Sequence, residues 1–322
     1  MATCWNRISD RASLLLALCL SCVPAHALTP LPVAPGTWMV QGAAEEFDRR
    51  NSGDISNSAF IITAGGVVVI DTGSTLAYGQ ALRSAIAGLT ELPVRWVINT
   101  HHHPDHVFGN AAFSDARIMA LPGTITALER DATAFLGTLH ARLGDAAQGT
   151  RVRLPDTPVS EGALDLDGYV LHLHALRGHT GADLVIHDPH TGVLFTGDIL
   201  FWQRAPTTPH SPSLTHWLAE LDELAALDAS AVVPGHGPLA RSDAPLVQTR
   251  AWLAWLDNLL REGVARGATQ NELIHTALPE AFARLPLARF ELTRSVSHFY
   301  RRYEDALWQD TNAPLRPNGE QK

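Results

Sequence analysis

The chain has 322 residues, 46% hydrophobic and 18% charged, a balance that excludes an intrinsically disordered or low-complexity protein. A formal charge of -9 at pH 7, with no basic run beyond the first residues, argues against nucleic acid as a partner. All three cysteines, Cys4, Cys19 and Cys22, lie close to the N-terminus, so no disulfide and no thiolate nucleophile or ligand is expected in the rest of the chain.

The N-terminus reads as an export signal. Arg7 and Arg11 form a basic region, Ala12 to Val23 a short apolar core, and Ala25-His26-Ala27 a small-x-small cleavage site. The apolar run is too short to span a bilayer as a mature helix. The expected division is a signal peptide at 1–27, a catalytic domain over 28–240, a helical extension packed on it over 241–310, and a flexible tail over 311–322. The mature chain would start near Leu28 and work in the periplasm or outside the cell, where the lack of cysteine suits an oxidising compartment.

Along the mature chain, Gly36 to Gln41 reads as a first strand and Glu45 to Asp54 as a polar loop. Ser58 to Thr63 and Val67 to Ile70 flank the tight turn Ala64-Gly65-Gly66, and Asp71-Thr72-Gly73 ends the second of these strands. Gln80 to Gly88 is expected to be helical, Val94 to Thr100 a buried strand running into a loop, and Ala116 to Ala120 another strand. A helix is expected over Ile125 to Leu143, then a loop or insertion over Gly144 to Thr157. Strands follow at Tyr169 to Leu176, Leu184 to Asp188 and Val193 to Thr196. Leu214 to Leu227 is an amphipathic helix and Ala231 to Pro234 a short strand. The remainder reads as helices over Leu246 to Arg266, Asn271 to Thr276 and Phe290 to Trp308. Strands and helices alternate twice in similar order, which predicts a layered α/β architecture.

The stretch His101-His102-His103-Pro104-Asp105-His106, read as H-x-H-x-D-H, places His101, His103, Asp105 and His106, four potential ligands, within six residues. On an extended segment His101 and His103 share a face, and after Pro104 the chain can aim Asp105 and His106 at a second place nearby. That pattern suits two adjacent ions; imidazole with carboxylate favours zinc, with iron or manganese possible. Three more loops, each at a strand end, add Gly178-His179, Gly197-Asp198 and Gly235-His236, and each glycine allows the backbone to come close to the ions.

With these motifs, Gly36 to Pro238 resembles the metallo-β-lactamase superfamily. The resemblance implies a four-layer αβ/βα sandwich carrying two zinc ions at one edge. By the family pattern His101, His103 and His179 hold the first, Asp105, His106 and His236 the second, and Asp198 bridges both; Asp71 supports the histidine loop. Within the superfamily, Asn51 to Asn57 and Val107 to Phe113 resemble metallohydrolases linked to quinoprotein dehydrogenase systems, which implies a functional link to such enzymes.

A water shared by two such ions has its pKa lowered to about 7, so a hydroxide is present at neutral pH to attack an ester, thioester, lactone or amide carbonyl of a small-molecule substrate. Asp105 is the residue expected to orient it or pass its proton. Phe201, Trp202, His210 and His216, on the segment after Asp198, are the expected substrate contacts. His102 should point away from the ions, and His172 and His174 read as an exposed strand face. A β-lactamase and an iron-dependent oxidoreductase akin to persulfide dioxygenases are the alternatives. Class B β-lactamases carry Cys or Ser where Asp198 stands, and flavodiiron proteins would carry Glu at His103.

Overall fold

The computed structural model describes residues 27–311, so most of the expected signal peptide and of the expected tail lies outside the described residues. Two sheets face each other. The first contains β1 (Leu31–Ala34), β2 (Thr37–Val40), β3 (Ser58–Thr63), β4 (Gly66–Ile70), β5 (Val94–Ile98), β6 (Arg117–Ala120) and β7 (Thr157–Pro158), side by side in that order. Its strands are antiparallel as far as β4 and parallel from β4 to β7. The second contains β8 (Gly162–Leu166), β9 (Tyr169–Leu176), β10 (Asp183–Asp188), β11 (Val193–Phe201) and β12 (Ala231–His236), in reverse order across the sheet.

The helices are α1 (Leu76–Ala87), α2 (Pro104–Val107), α3 (Pro122–Leu143), α4 (Leu214–Ala225), α5 (Ala244–Ala265), α6 (Gln270–Ile274), α7 (Glu280–Ala283) and α8 (Ala288–Thr311). Alternation sorts side chains between layers. Ile61, Val68, Ile98 and Met119 of the first sheet meet Leu173, Leu184, Ile186, Phe195 and Val233 of the second in a shared core. On the outer face of the first sheet, Val67, Val69, Val97 and Ile118 pack under Tyr78, Leu82 and Ile86 of α1. On the outer face of the second, Val185, Leu194 and Val232 pack under Trp217 and Leu221 of α4, Trp252 and Leu256 of α5, and Leu292 and Val296 of α8. The order helix, sheet, sheet, helix is the four-layer αβ/βα sandwich, with additional C-terminal helices on the second sheet. Each fully buried side chain of this kind contributes about 1.5–3 kcal/mol.

Several elements differ from their expected extents. The first strand is two: β1 and β2 turn about Gly36, whose φ is +72°, and β1 carries Pro32 because an edge strand tolerates proline. Helix α1 begins four residues early, at Leu76, where the Thr75 hydroxyl accepts from the Tyr78 amide at 3.0 Å. Gly79 obscures that start in the sequence; a Cβ there would lie 2.5 Å from the Gly109 carbonyl oxygen. Strands β7 and β8 are short and mostly exposed, without the alternation that marks a half-buried strand. Strand β11 continues past Thr196 through an irregularity at Gly197 to Phe201, and β12 continues to His236. Asp198 and His236 therefore stand on strands, not in loops that follow them.

Candidate metal centre

The centre is assembled at one end of the sheets. Parallel pairing of β4 and β5 brings Asp71, just past β4, beside Thr100, just past β5. The Asp71 carboxylate accepts from the Thr100 amide at 2.8 Å and the Thr100 hydroxyl at 2.7 Å, and this fixes the chain that enters the histidine stretch. Pro104 starts α2, which turns Asp105 and His106 inward. The Ser56 hydroxyl donates to the Asp105 carbonyl at 2.6 Å, and the Asn57 amide clamps the His236 segment by donating to the Pro234 and Gly237 carbonyls, both at 2.7 Å.

Two adjoining groups of ligand-type atoms carry the seven expected residues, each within 4.8 Å: His101, His103, His179 and Asp198 in one, Asp105, His106 and His236 in the other; a third group, His102, His103 and His210, lies beside the first. Asp198 links them. Its Oδ1 lies 3.2 Å from His106 Nε2, and its Oδ2 lies 3.3 Å from both His179 Nε2 and His236 Nε2 and 3.9 Å from His101 Nε2. Asp105 Oδ2 is 3.3 Å from His236 Nε2 and 3.7 Å from His106 Nε2. All seven residues are buried.

The outward nitrogens decide what faces inward. His179 Nδ1 meets the Thr207 carbonyl at 3.0 Å and His236 Nδ1 meets the Ile55 carbonyl at 2.7 Å. A carbonyl only accepts, so each Nδ1 carries the proton and each Nε2 offers a lone pair. His106 Nδ1 donates to Asp71 at 2.7 Å in the same way. The Thr100 hydroxyl gives its proton to Asp71, so its oxygen accepts from His101 Nδ1 at 3.0 Å. His103 is turned the other way: Nδ1 lies 2.9 Å from His179 Nε2, and Nε2 contacts His210 Nδ1. His101 Nε2, His106 Nε2 and Asp198 Oδ1 are buried with no hydrogen-bond partner. Lone pairs and carboxylates aimed at one buried volume repel each other unless cations lie between them, and this donor set fits divalent metal ions.

Titration divides the two groups. Burial and neighbouring histidines hold His101 and His103 well below the usual imidazole range, and burial pulls His179 down to about 3. In the second group, burial opposes protonation of His106, but Asp198, Asp71 and Asp105 raise it well above that range. His236 is raised mainly by Asp198 against the effect of burial. Burial also opposes ionisation of Asp198 and Asp105, yet the adjacent histidines keep both below the ordinary carboxylate value.

Of the four expected substrate contacts, His210 is exposed and touches a ligand histidine. Phe201 is fully buried; its ring stacks on His236 at 5.4 Å, and Arg204 lies over it. Trp202 is half-buried with its amide bonded to the His236 carbonyl, and His216 is exposed on α4, 3.1 Å from Glu220. His102 was expected to point away; it lies 3.6 Å from Asp131, but it also groups with His103 and His210, its ligand-type nitrogen within 4.8 Å of theirs. An open cavity of about 560 Å³ lies beside His210, lined also by His102, Arg130, Asp131, His298 and Arg302.

No residue type in the sequence signals the support behind these side chains. The carbonyls of Ile55 and Thr207 could come from any residue type. Arg204, almost fully buried, lies 3.4 Å from Glu46 and 3.7 Å from Glu291 of α8, and Glu291 accepts from the Thr207 hydroxyl at 2.7 Å. The one available signal was Glu291 falling at helical spacing with Ala288, Leu292 and Phe299, on the side of α8 that is buried.

The sequence profile of the metallo-beta-lactamase superfamily matches residues 51–236, more than half of the chain. The chain belongs to that superfamily. Among curated proteins it is similar to the linear primary-alkylsulfatase of Pseudomonas sp. (strain ATCC 19151), 23% identical over 258 residues, covering 65% of this chain and 47% of that protein. It is also similar to the hydroxyacylglutathione hydrolase of Anaeromyxobacter dehalogenans (strain 2CP-C), 32% identical over 195 residues, 59% of this chain and 64% of the relative. The superfamily member described here thus spans about half to two thirds of the length of these relatives. Among solved structures, a double mutant of the sec-alkyl sulfatase PisA1 superposes with a TM-score of 0.66 at 18% identity, covering 90% of this chain and 52% of that one.

Proposed function

We propose that this superfamily member is an exported, dinuclear zinc hydrolase of small esters, thioesters or lactones. The observation that carries the reading is Asp198, whose two carboxylate oxygens face histidines of both groups. On that reading His101, His103 and His179 would hold one ion and Asp105, His106 and His236 the other, with Asp198 available to both. Bound zinc supplies Lewis acidity, which polarises a scissile carbonyl and acidifies water.

The chain's own groups do the rest. Asp105, ionised and buried between His106 and His236, accepts the proton of the attacking water and returns it to the departing alkoxide or thiolate. The outward hydrogen bonds hold the imidazoles at fixed angles. Substrate enters by the cavity beside His210, where Arg130 is paired with Asp131 and Arg302 adds a further cation. The runs 51–57 and 107–113 support an accessory role beside a quinoprotein dehydrogenase in the envelope. Among the described residues no helix is long and apolar enough to cross a membrane.

A hydrolysis screen of the zinc-loaded protein tests this, with lactones, thioesters, carboxylic esters, alkyl sulfates and β-lactams in parallel. Turnover of an ester, thioester or lactone that is lost in Asp198→Ala is expected. Turnover of β-lactams with none on the ester panel would contradict the substrate class.

A further inference from the structure

Away from the centre, three histidines occupy the outer face of the second sheet. His172 and His174 stand two apart on β9, and His187 of β10 is the direct cross-strand partner of His172. The intervening Leu173 and its partner Ile186 point into the inter-sheet core, so alternation puts the three imidazoles on the opposite face. The His172 and His187 rings lie 6.2 Å apart. The Nε2 atoms of His174 and His187 are buried and have no hydrogen-bond partner. Burial holds both rings below the usual imidazole range; on His187 repulsion from His174 and His172 adds to it, while on His174 the pull of Glu161 opposes burial more strongly than His172 assists it. Glu161 and Glu223 act on His174 from around the patch, and Asp188 and Asp228 on His187.

We propose that His172, His174 and His187 form a separate site for a borderline divalent ion, zinc above all, with copper(II) or nickel as substitutes. Two residues at i and i+2 on one strand, plus one directly across the ladder, present three imidazoles to one point above the sheet. Neutral rings with free lone pairs are the form that ligates, and the surrounding carboxylates attract the ion. The nitrogens are not gathered within 4.8 Å as those of the main centre are, so capture of an ion draws them together by side-chain rotation. His172 is exposed, which gives the ion a way in and leaves an outward coordination position open.

The test is independent of the hydrolase reading. Chelator-stripped protein is reloaded with zinc, passed through a desalting column and assayed for metal, comparing wild type, His174→Ala and His187→Asn. The same two substitutions are repeated in an Asp198→Ala background. Each histidine substitution is expected to remove one equivalent of zinc in both backgrounds, with the ester hydrolysis of the otherwise wild-type protein unchanged. Equal zinc content with and without the substitutions, in either background, would overturn the site. A failure of the dinuclear centre would change the totals and leave that one-equivalent step in place.

Discussion

Asp71 receives the Nδ1 proton of His106 at 2.7 Å on the same carboxylate that binds the amide and hydroxyl of Thr100. One buried group thus orients His106 directly and His101 through the threonine oxygen. Asp71 adopts a positive φ of 56°, which non-glycine residues rarely do; among them, aspartate and asparagine tolerate it best. Asp71→Asn keeps the volume but leaves one acceptor oxygen for three donors. Zinc affinity, measured by competition with a chelating dye, is expected to fall about 10–100-fold with circular dichroism unchanged. Unaltered affinity would show that Asp71 does not orient the ligands.

Gly235→Ala is predicted to disable the centre while sparing the fold. The added Cβ would stand 2.0 Å from Asp198 Oδ1 and 2.6 Å from the Gly197 carbonyl carbon, and neither is the far end of a flexible chain. Asp198 must move, and displacement of a reacting or ligating group by about 1 Å costs about 100-fold in rate. The expected result is loss of at least one bound zinc and a drop in kcat of that order, with the thermal transition still cooperative. Full zinc content and full turnover would contradict the close approach.

Helix α8 should matter to the centre as well as to stability. Glu291 is fully buried, lies 3.7 Å from Arg204, and holds Thr207, whose carbonyl orients His179. Glu291→Ala leaves the buried Arg204 guanidinium with Glu46 as its remaining carboxylate, so the loss seen by urea unfolding should fall below that of a fully broken buried pair, about 3–5 kcal/mol. Zinc affinity of the folded variant should fall too, whereas a purely structural role would leave it unchanged.

Asp183 gives a pH dependence of known sign. Burial pushes its carboxyl from 3.8 up to about 7, against the pull of the Thr180 hydroxyl and amide. The folded state therefore keeps a proton that the unfolded chain has lost, and the Asp183 contribution to stability falls as pH rises from about 4 to about 7. Asp183→Asn should remove that component. Urea midpoints from pH 4 to 8 should show wild type losing stability relative to the variant across this interval. A gain relative to the variant would contradict the assignment.

The architecture was legible because it is written in pattern: continuous apolar runs in the buried strands β3 and β4, alternation in β9, helical spacing in α4, and glycines at the loops that approach the centre. The seven residues singled out from those loops converge in two adjoining groups. What the sequence withheld has physical reasons. Strand β11 runs through Gly197, whose φ of +48° reads as a strand end, so Asp198 was expected in a loop. Phe201 was expected to meet substrate from its place in the chain, but its burial against His236 depends on Arg204 and α8, which lie far away in sequence. Backbone carbonyls such as those of Ile55 and Thr207 carry no residue signature at all.

The central claim is that two ions sit on either side of Asp198. Anomalous diffraction at the zinc edge from crystals of the zinc-loaded protein tests it most directly. The account predicts two peaks among these seven residues, one coordinated by His101, His103 and His179, the other by Asp105, His106 and His236, with Asp198 in contact with both. A single peak there at full zinc loading, or two peaks with Asp198 bound to neither or to only one, would contradict it.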